Sequence, residues 1–350
     1  MEISIPTLLR IKPNALYKLG KYLRKEQFVR IGLFYGSGLK EMFEEQLKIT
    51  FDSSEIELVY EDVVETNAIE EIYKTAYSLP ETVQAIVAIG GGKVIDYCKY
   101  IAFMLQIPII SVPTSISNDG FASPGASLFV NGKRKSLKAK IPFGVVIDTE
   151  IIRKSPSYYT YSGIGDLISK YTAVYDWKAA YRVRQEPVND FAVLISTNAV
   201  ENMVNYKNKD IEDLEFLRLI CGCLVMSGVA MEVSGSSRPA SGSEHLISHA
   251  YDMIAQKPSL HGIQVGVATY AVSWLQKNPE HQTIKRVLEE TGFIDYVSKN
   301  CLKKSDFIDA IKFAPNIKHN FYTVLSEREN IKKLIDYVET DEYFGKLIAE

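Results

Sequence analysis

Along the first half of the chain, short apolar runs alternate with segments whose apolar residues recur every three or four positions. Residues 31–35, 55–60, 83–89, 107–112 and 144–149 read as strands, bounded by Gly, Pro, Asn and Ser. Residues 39–47, residues 68–78 and the stretch after Gly92, with Val94, Ile95, Cys98, Ile101 and Ala102 on one face, read as helices. Residues 1–28 read as a short strand and a helix, with Leu16, Leu19 and Leu23 at helical spacing. This βα alternation predicts a mostly parallel, Rossmann-like sheet. Residues 126–130 and 136–140 flank Asn131-Gly132, a hairpin signal. Near residue 155 the strand patterning stops, and amphipathic segments run on to Glu350. The expectation is an α/β domain over residues 1–154 and an all-helical domain over 155–350. No low-complexity linker separates them, so a shared cleft is expected, the usual place for a substrate.

Two predicted strands end in loops that carry chemistry. The run 83–89 feeds Gly90-Gly91-Gly92, and a helix starts straight after, giving strand, bare backbone and helix in succession. Glycines let an anion approach the main chain, and the helix N-terminus attracts it, so a pyrophosphate fits there; a tight turn alone would use the same glycines. The run 107–112 opens into Pro113-Thr114-Ser115-Ile116-Ser117-Asn118-Asp119-Gly120. Parallel strands would bring both loops to one rim, the carboxyl-end rim where open α/β sheets bind ligands. Gly36-Ser37-Gly38, at the first βα junction, lacks the G-x-G-x-x-G spacing and is a weaker signal.

The helical half carries candidate metal ligands. Gly163-Ile164-Gly165-Asp166 places a carboxylate at a predicted helix start, where Asp is also a common cap. Glu244-His245-Leu246-Ile247-Ser248-His249 sets two imidazoles four apart on one helical face, after a Ser-, Gly- and Pro-rich approach over residues 234–242. His261 opens a further helix, so three of the five histidines fall within residues 245–261. Neutral imidazoles with one carboxylate suit a zinc-type divalent ion and leave positions open for a substrate oxygen. Spacing alone does not say which two histidines bind it.

Composition narrows the classes. The chain has 350 residues, 46% hydrophobic and 24% charged, enough for two cores. A net charge of -3 and the lack of a basic stripe with interleaved aromatics disfavour nucleic acid. The longest apolar run, near residues 101–110, is broken by Gln106 and Pro108, and MEISIPTLLRIKP does not read as a secretory signal. No membrane partner is expected, and a cytoplasmic homo-oligomer is. Cys98, Cys221, Cys223 and Cys301 read as reduced thiols, mostly core. Lys133, Arg134, Lys135 and Lys138 on the hairpin read as a solvated edge, with phosphate contact as the alternative.

GGGKVID, PIISVPTSISNDGFASPGAS, SGIGDLISK, DW, RPASGSEHLISHA and LHGIQVG occur in that order. Together they resemble the sn-glycerol-1-phosphate dehydrogenases, within the superfamily of glycerol dehydrogenases, metal-dependent alcohol dehydrogenases and dehydroquinate synthases. The resemblance spans roughly residues 15–275. It implies a dehydroquinate synthase-like fold and a hydride transfer between NAD or NADP and a small substrate, dihydroxyacetone phosphate. It implies metal ligands at Asp166, His245 and His261, the ion being zinc, with nickel or iron as alternatives. Substrate contacts fall on Asp119, Asp166 and His249, with Asp119 and His249 as the catalytic pair. Nicotinamide cofactor contacts fall on Gly92, Lys93, Val94, Ile95, Asp96, Thr114, Ser117 and Ser123, beside the Gly90-Gly91 turn. Relatives often carry a basic residue where this chain has Ser155-Pro156-Ser157-Tyr158-Tyr159. The candidates for the substrate phosphate are therefore Lys133, Arg134, Lys170 and, as first choice, Arg238. The alternatives are a dehydrogenase of glycerol and dihydroxyacetone or another small polyol, and a catalytically silent nucleotide-binding module.

Overall fold

The apolar runs of the first half lie side by side in one sheet. The computed structural model describes residues 3–349. It forms β1 (Leu8–Lys12), β2 (Arg30–Gly36), β3 (Glu57–Val64), β4 (Ala85–Gly90), β5 (Ile109–Pro113), a hairpin of β6 (Gly125–Val130) and β7 (Lys133–Lys138), and β8 (Gly144–Asp148). Six of these make the sheet, in the order β1-β8-β5-β4-β2-β3, and every neighbouring pair is parallel. Every residue of β4, AIVAIG, is buried, as expected of a central parallel strand covered on both faces. The connecting helices are α1 (Leu19–Lys25), α2 (Lys40–Asp52), α3 (Ile69–Ser78), α4 (Gly92–Leu105) and α5 (Thr149–Lys154). Leu19 and Leu23 of α1 and Phe43, Leu47 and Phe51 of α2 pack with Leu33, Val87, Ile89, Val112 and Val146 in one core.

Chain order makes this sheet a binding scaffold. From β2 the chain steps outward to β3, then crosses back to place β4 on the other side of β2. That reversal is the topological switch point, where the carboxyl ends of the strands leave a crevice. Gly36 and Gly90 end the two strands there, and a Cβ built on Gly90 would lie 3.3 Å from the Gly36 nitrogen. The hairpin turns through Asn131 at φ 52° and Gly132 at φ 71°, the positive pair that a two-residue turn matching strand twist requires. That short turn starts β7 at Lys133 rather than residue 136. The third strand also starts later than the predicted 55–60, at Glu57, because Glu55 at φ 53° belongs to the turn before it.

The contacts within the chain divide it after Ser155. The second unit runs through α6 (Ser157–Ile168), α7 (Lys170–Arg184), α8 (Asp190–Asn205), α9 (Leu214–Ser234), α10 (Ser243–Ile254), α11 (His261–Leu275), α12 (His281–Glu290), α13 (Phe293–Lys299), α14 (Lys304–Phe313) and α15 (Arg328–Thr340). Its strands among the described residues are a two-residue parallel pair, β9 (Leu302–Lys303) with β10 (Ile348–Ala349). α9 is long and apolar enough to cross a membrane by length and composition, but most of it is buried inside the unit.

Glycine notches bring α6 and α11 together. A Cβ on Gly165 would fall 2.0 Å from the Gly262 carbonyl oxygen, and one on Gly262 would fall 1.9 Å from that of Ser162. Only glycine allows the two backbones to touch. The Gly262 N–H donates to Ser162 Oγ at 3.1 Å and fixes the crossing. This contact is the physical content of SGIGD and HGIQVG, and it carries Asp166 to His261.

Candidate functional site

At the rim of the sheet, the three glycines do different work. Gly90 has φ 155°, and its Cβ would press on Val94 Cγ1 at 3.0 Å, so the chain itself demands glycine there. Gly91 has φ -82°, so it needs no special backbone freedom, and its Cβ would meet only Ser115 Oγ at 3.6 Å. A Cβ on Gly92 would meet nothing within 4 Å. The last two glycines therefore leave open space in front of the first turn of α4. No side chain caps that helix, and its N-terminal N–H groups and dipole are suited to an anion. The Thr114 N–H donates to the Gly90 carbonyl at 3.1 Å, which locks the second loop against the first.

The other predicted nucleotide contacts sort by what their side chains already do. Val94 and Ile95 are buried in the core, which leaves their main chain for a ligand. Lys93 is exposed and donates to the Glu65 carbonyl at 3.0 Å. Thr114 and Ser117 are partly exposed on the loop, and Ser123 is buried with its hydroxyl donating to the Gly120 carbonyl at 3.3 Å. Asp96 is engaged inside the unit: Oδ1 pairs with Lys99 Nζ at 2.9 Å, and Oδ2 accepts the Ser127 N–H at 3.0 Å. Asp119 is partly exposed and begins a short 3-10 turn, Asp119–Ala122, capped by Asn118, whose Oδ1 accepts the Gly120 N–H at 2.8 Å.

In the second unit, Asp166, His245 and His261 each offer a ligand atom, all within 4.8 Å of one another. Asp166 is not the helix cap its glycine-rich setting suggests. α6 starts after Pro156, and Asp166 lies in its last turns, because Gly165 serves the α11 contact rather than a helix start. Asp166 Oδ1 is 3.3 Å from His245 Nε2 and 3.4 Å from Lys170 Nζ. His245 and His261 have ring centroids 5.1 Å apart, and His249 stacks on His261 at 5.4 Å. A second grouping, His249, Asp252 and His261, also has its ligand atoms within 4.8 Å.

Hydrogen bonds set the tautomers of the first grouping. Glu244 Oε1 lies 2.9 Å from His245 Nδ1, and a carboxylate accepts, so Nδ1 carries the proton and Nε2 presents its lone pair. Glu244 is fully buried and also accepts from the Gly242 N–H at 2.6 Å and the Thr172 hydroxyl at 2.8 Å. Ser248 Oγ donates to Gln264 Oε1 at 2.7 Å, so its contact with His261 Nδ1 at 2.9 Å is one it accepts. His261 therefore turns Nε2 the same way. Two oriented imidazoles and a buried carboxylate fit a divalent ion, with the outer hydrogen bonds that such sites use.

The charges agree with this assignment. Burial alone would raise the Asp166 pKa, but the Lys170 ammonium and the His245 hydrogen bond outweigh it and hold the carboxyl well below the usual range. Burial alone would lower the His245 pKa, but its hydrogen bonds to Asp166 and Glu244 raise it instead. Asp176 is pushed up to about 6, first by burial and then by the charge of Glu244. Its oxygens accept the Ser243 N–H at 2.7 Å and the Val324 N–H at 2.9 Å, tying the start of α10 to the C-terminal segment.

Arg238, the first choice for a substrate phosphate, has another role. It is buried, forks onto both oxygens of Glu186, donates to the Tyr322 carbonyl at 2.7 Å and lies 3.6 Å over the Phe321 ring. Lys133 and Arg134 are exposed on the hairpin, while Lys170 lies buried against Asp166 and the Ala240 carbonyl. Sequence reasoning missed Glu244, Ser248 and Gln264 as orienting residues. The available signals were adjacency to His245 and the three-residue spacing from His261 to Gln264.

Residues 10–156 match the iron-containing alcohol dehydrogenase family. The fold is similar to that of the glycerol dehydrogenase of Schizosaccharomyces pombe, with a TM-score of 0.76 at 16% identity, over 97% of this chain and 93% of that one. The fold is thus that of the glycerol and iron-type alcohol dehydrogenases, the dehydroquinate synthase-like fold that the sequence blocks imply. Sequence similarity is narrower in what it selects. A glycerol-1-phosphate dehydrogenase (NAD(P)+) of Methanosphaera stadtmanae is 39% identical over 280 residues, 78% of this chain and 80% of that protein. One from Methanosarcina acetivorans is 41% identical over 258 residues, 73% and 72% of the two chains. The chain belongs to the glycerol-1-phosphate dehydrogenase family.

Proposed function

We propose that this protein is a metal-dependent, NAD(P)-linked oxidoreductase that interconverts dihydroxyacetone phosphate and sn-glycerol 1-phosphate. Family membership supports the reaction, and the convergence of Asp166, His245 and His261 is the observation that carries the mechanism. In this reading residues up to 155 bind the dinucleotide and supply Asp119 to the substrate, and those from 156 on bind the metal and the rest of the substrate. When bound, the divalent metal supplies Lewis-acid polarisation of the substrate carbonyl and the nicotinamide supplies the hydride.

The chain's own residues do the rest. Asp166, His245 and His261 hold the ion, which is zinc in this reading, with nickel or iron able to use the same donors. Glu244 and Ser248 keep both imidazoles in the ligating tautomer. The open Gly91-Gly92 backbone and the first turn of α4 receive the pyrophosphate, flanked by Lys93, Thr114, Ser117 and Ser123. Asp119 orients a substrate hydroxyl, and His249 holds or passes the proton at the reacting oxygen. Arg238's commitment to Glu186 keeps a second reading in play, a dehydrogenase of unphosphorylated glycerol, because it removes one phosphate contact. The oriented ligand set argues against a silent nucleotide-binding module.

Two variants test the assignment. His261→Ala should lose bound metal and activity together, while His249→Ala should keep the metal and lose turnover. Elemental analysis beside NADH oxidation decides it. Metal retained at the parent level in His261→Ala overturns the ligand set, and equal loss of metal in both variants favours the His249, Asp252 and His261 grouping.

A further inference from the structure

Lys99 lies on α4, two turns beyond the glycine turn, and its side chain has no exposure. Its Nζ sits 2.9 Å from Asp96 Oδ1 and donates to the carbonyls of Gly120 at 2.6 Å, Ser123 at 3.3 Å and Gly125. Apart from Asp96, every one of these partners is main chain of the segment that runs from the Asp119 turn to the first residue of β6. Its helix neighbours Ile95, Cys98 and Ala102 are buried and apolar, so packing alone would be served by another apolar residue. A buried cation is costly to desolvate, and apolar replacements of similar size are often as stable. Here the ammonium is spent on Asp96 and on loop main chain, so what it fixes is where that loop lies.

We propose that Lys99 is a positioning residue that fastens the Asp119 loop to the nucleotide-binding helix, setting Asp119 at a fixed place relative to the Gly90-Gly91-Gly92 turn. Asp96 completes the device by holding the ammonium on one side and the Ser127 N–H on the other. The inference rests on the reading of Asp119 as a substrate contact and of the glycine turn as the nucleotide site. It adds that the two are mechanically one part, joined at the Asp119 end by the Lys99 ammonium as they are at Thr114 by the bond to the Gly90 carbonyl.

A double-mutant cycle tests it, because a residue that acts through Asp119 has little left to lose once Asp119 is changed. In Lys99→Met, kcat/KM for dihydroxyacetone phosphate should fall by about a hundredfold or more, while metal content and the Kd for NADH, measured without ketone, stay within about threefold of the parent. In an Asp119→Asn background, assayed at high enzyme concentration, adding Lys99→Met should change kcat/KM by less than about threefold. Multiplying effects would overturn the proposal, as would an NADH affinity that falls as far as turnover does. Should Lys99→Met fail to fold, the same cycle with Lys99→Gln, whose shorter amide cannot reach all three carbonyls, decides by the same criterion. A parent protein that binds NADH but does not reduce any small ketone would overturn the functional reading itself, a different result from additivity in an active enzyme.

Discussion

Glu244 does not touch the ion in this account, yet replacing it should change how tightly the ion is held. Its carboxylate accepts from His245 Nδ1, the Gly242 N–H and the Thr172 hydroxyl, all of them buried. In Glu244→Gln, the amide oxygen can keep the His245 and Gly242 bonds. The new NH2 can donate to Thr172 Oγ, whose own proton then goes wholly to the Ser169 carbonyl, 2.9 Å away. Only the charge is lost, so metal affinity should drop by about tenfold, or ~1.4 kcal/mol. Glu244→Ala removes the bonds as well. The freed imidazole should then lose about a hundredfold in metal affinity, and two orphaned N–H groups should cost the metal-free fold ~2–4 kcal/mol. Competition against a chromophoric chelator reads the first quantity, and urea unfolding of metal-free protein reads the second. If both variants bind metal as tightly as the parent, the orientation argument is wrong. If only the unfolding midpoint moves, Glu244 is a packing residue.

The glycine turn should split in the same way. Gly90→Ala should cost ~1–3 kcal/mol of stability, because it forces φ 155° on a residue with a Cβ and presses on Val94. Gly91→Ala should leave the melting temperature nearly unchanged and weaken NADH binding at least about tenfold, since its Cβ would make only an ordinary contact with Ser115 Oγ and enter the space in front of α4; equal NADH titrations would reduce the turn to a structural one. Arg238→Ala should lower stability by ~2–4 kcal/mol through the lost Glu186 pair and Phe321 packing, with the preference for dihydroxyacetone phosphate over dihydroxyacetone unchanged. A collapse of that preference in a folded variant would return Arg238 to the substrate.

Much of the first unit is legible in the sequence because its strands are continuous apolar runs, and burial on both faces of a parallel sheet demands that pattern. Boundaries slipped where backbone conformation decides, as at Glu55, which takes φ 53° before β3. Asp166 was misplaced for an instructive reason. Mid-helix glycines normally argue for a helix end, but here they admit the backbone of α11, a requirement that exists only once the two helices meet. Arg238 lies seven residues before His245 in sequence, and that proximity carried no information about where its guanidinium points. Lys99 is silent because one lysine in an apolar helix face looks like a snorkelling surface residue; only the fold shows the three carbonyls around it. Periodicity reports the faces of elements, and the ligand cluster depends on which faces meet.

The account stands most directly on the substrate and its handedness. The metal-loaded protein should be assayed in the oxidative direction with NAD+ and NADP+ against the two enantiomers of glycerol phosphate and against glycerol. The prediction is turnover of sn-glycerol 1-phosphate with kcat/KM at least about a hundredfold above that for the enantiomer and for glycerol, a difference of ~2.7 kcal/mol or more in transition-state binding. Equal or faster oxidation of glycerol would contradict the proposed substrate and make the protein a polyol dehydrogenase on the same fold.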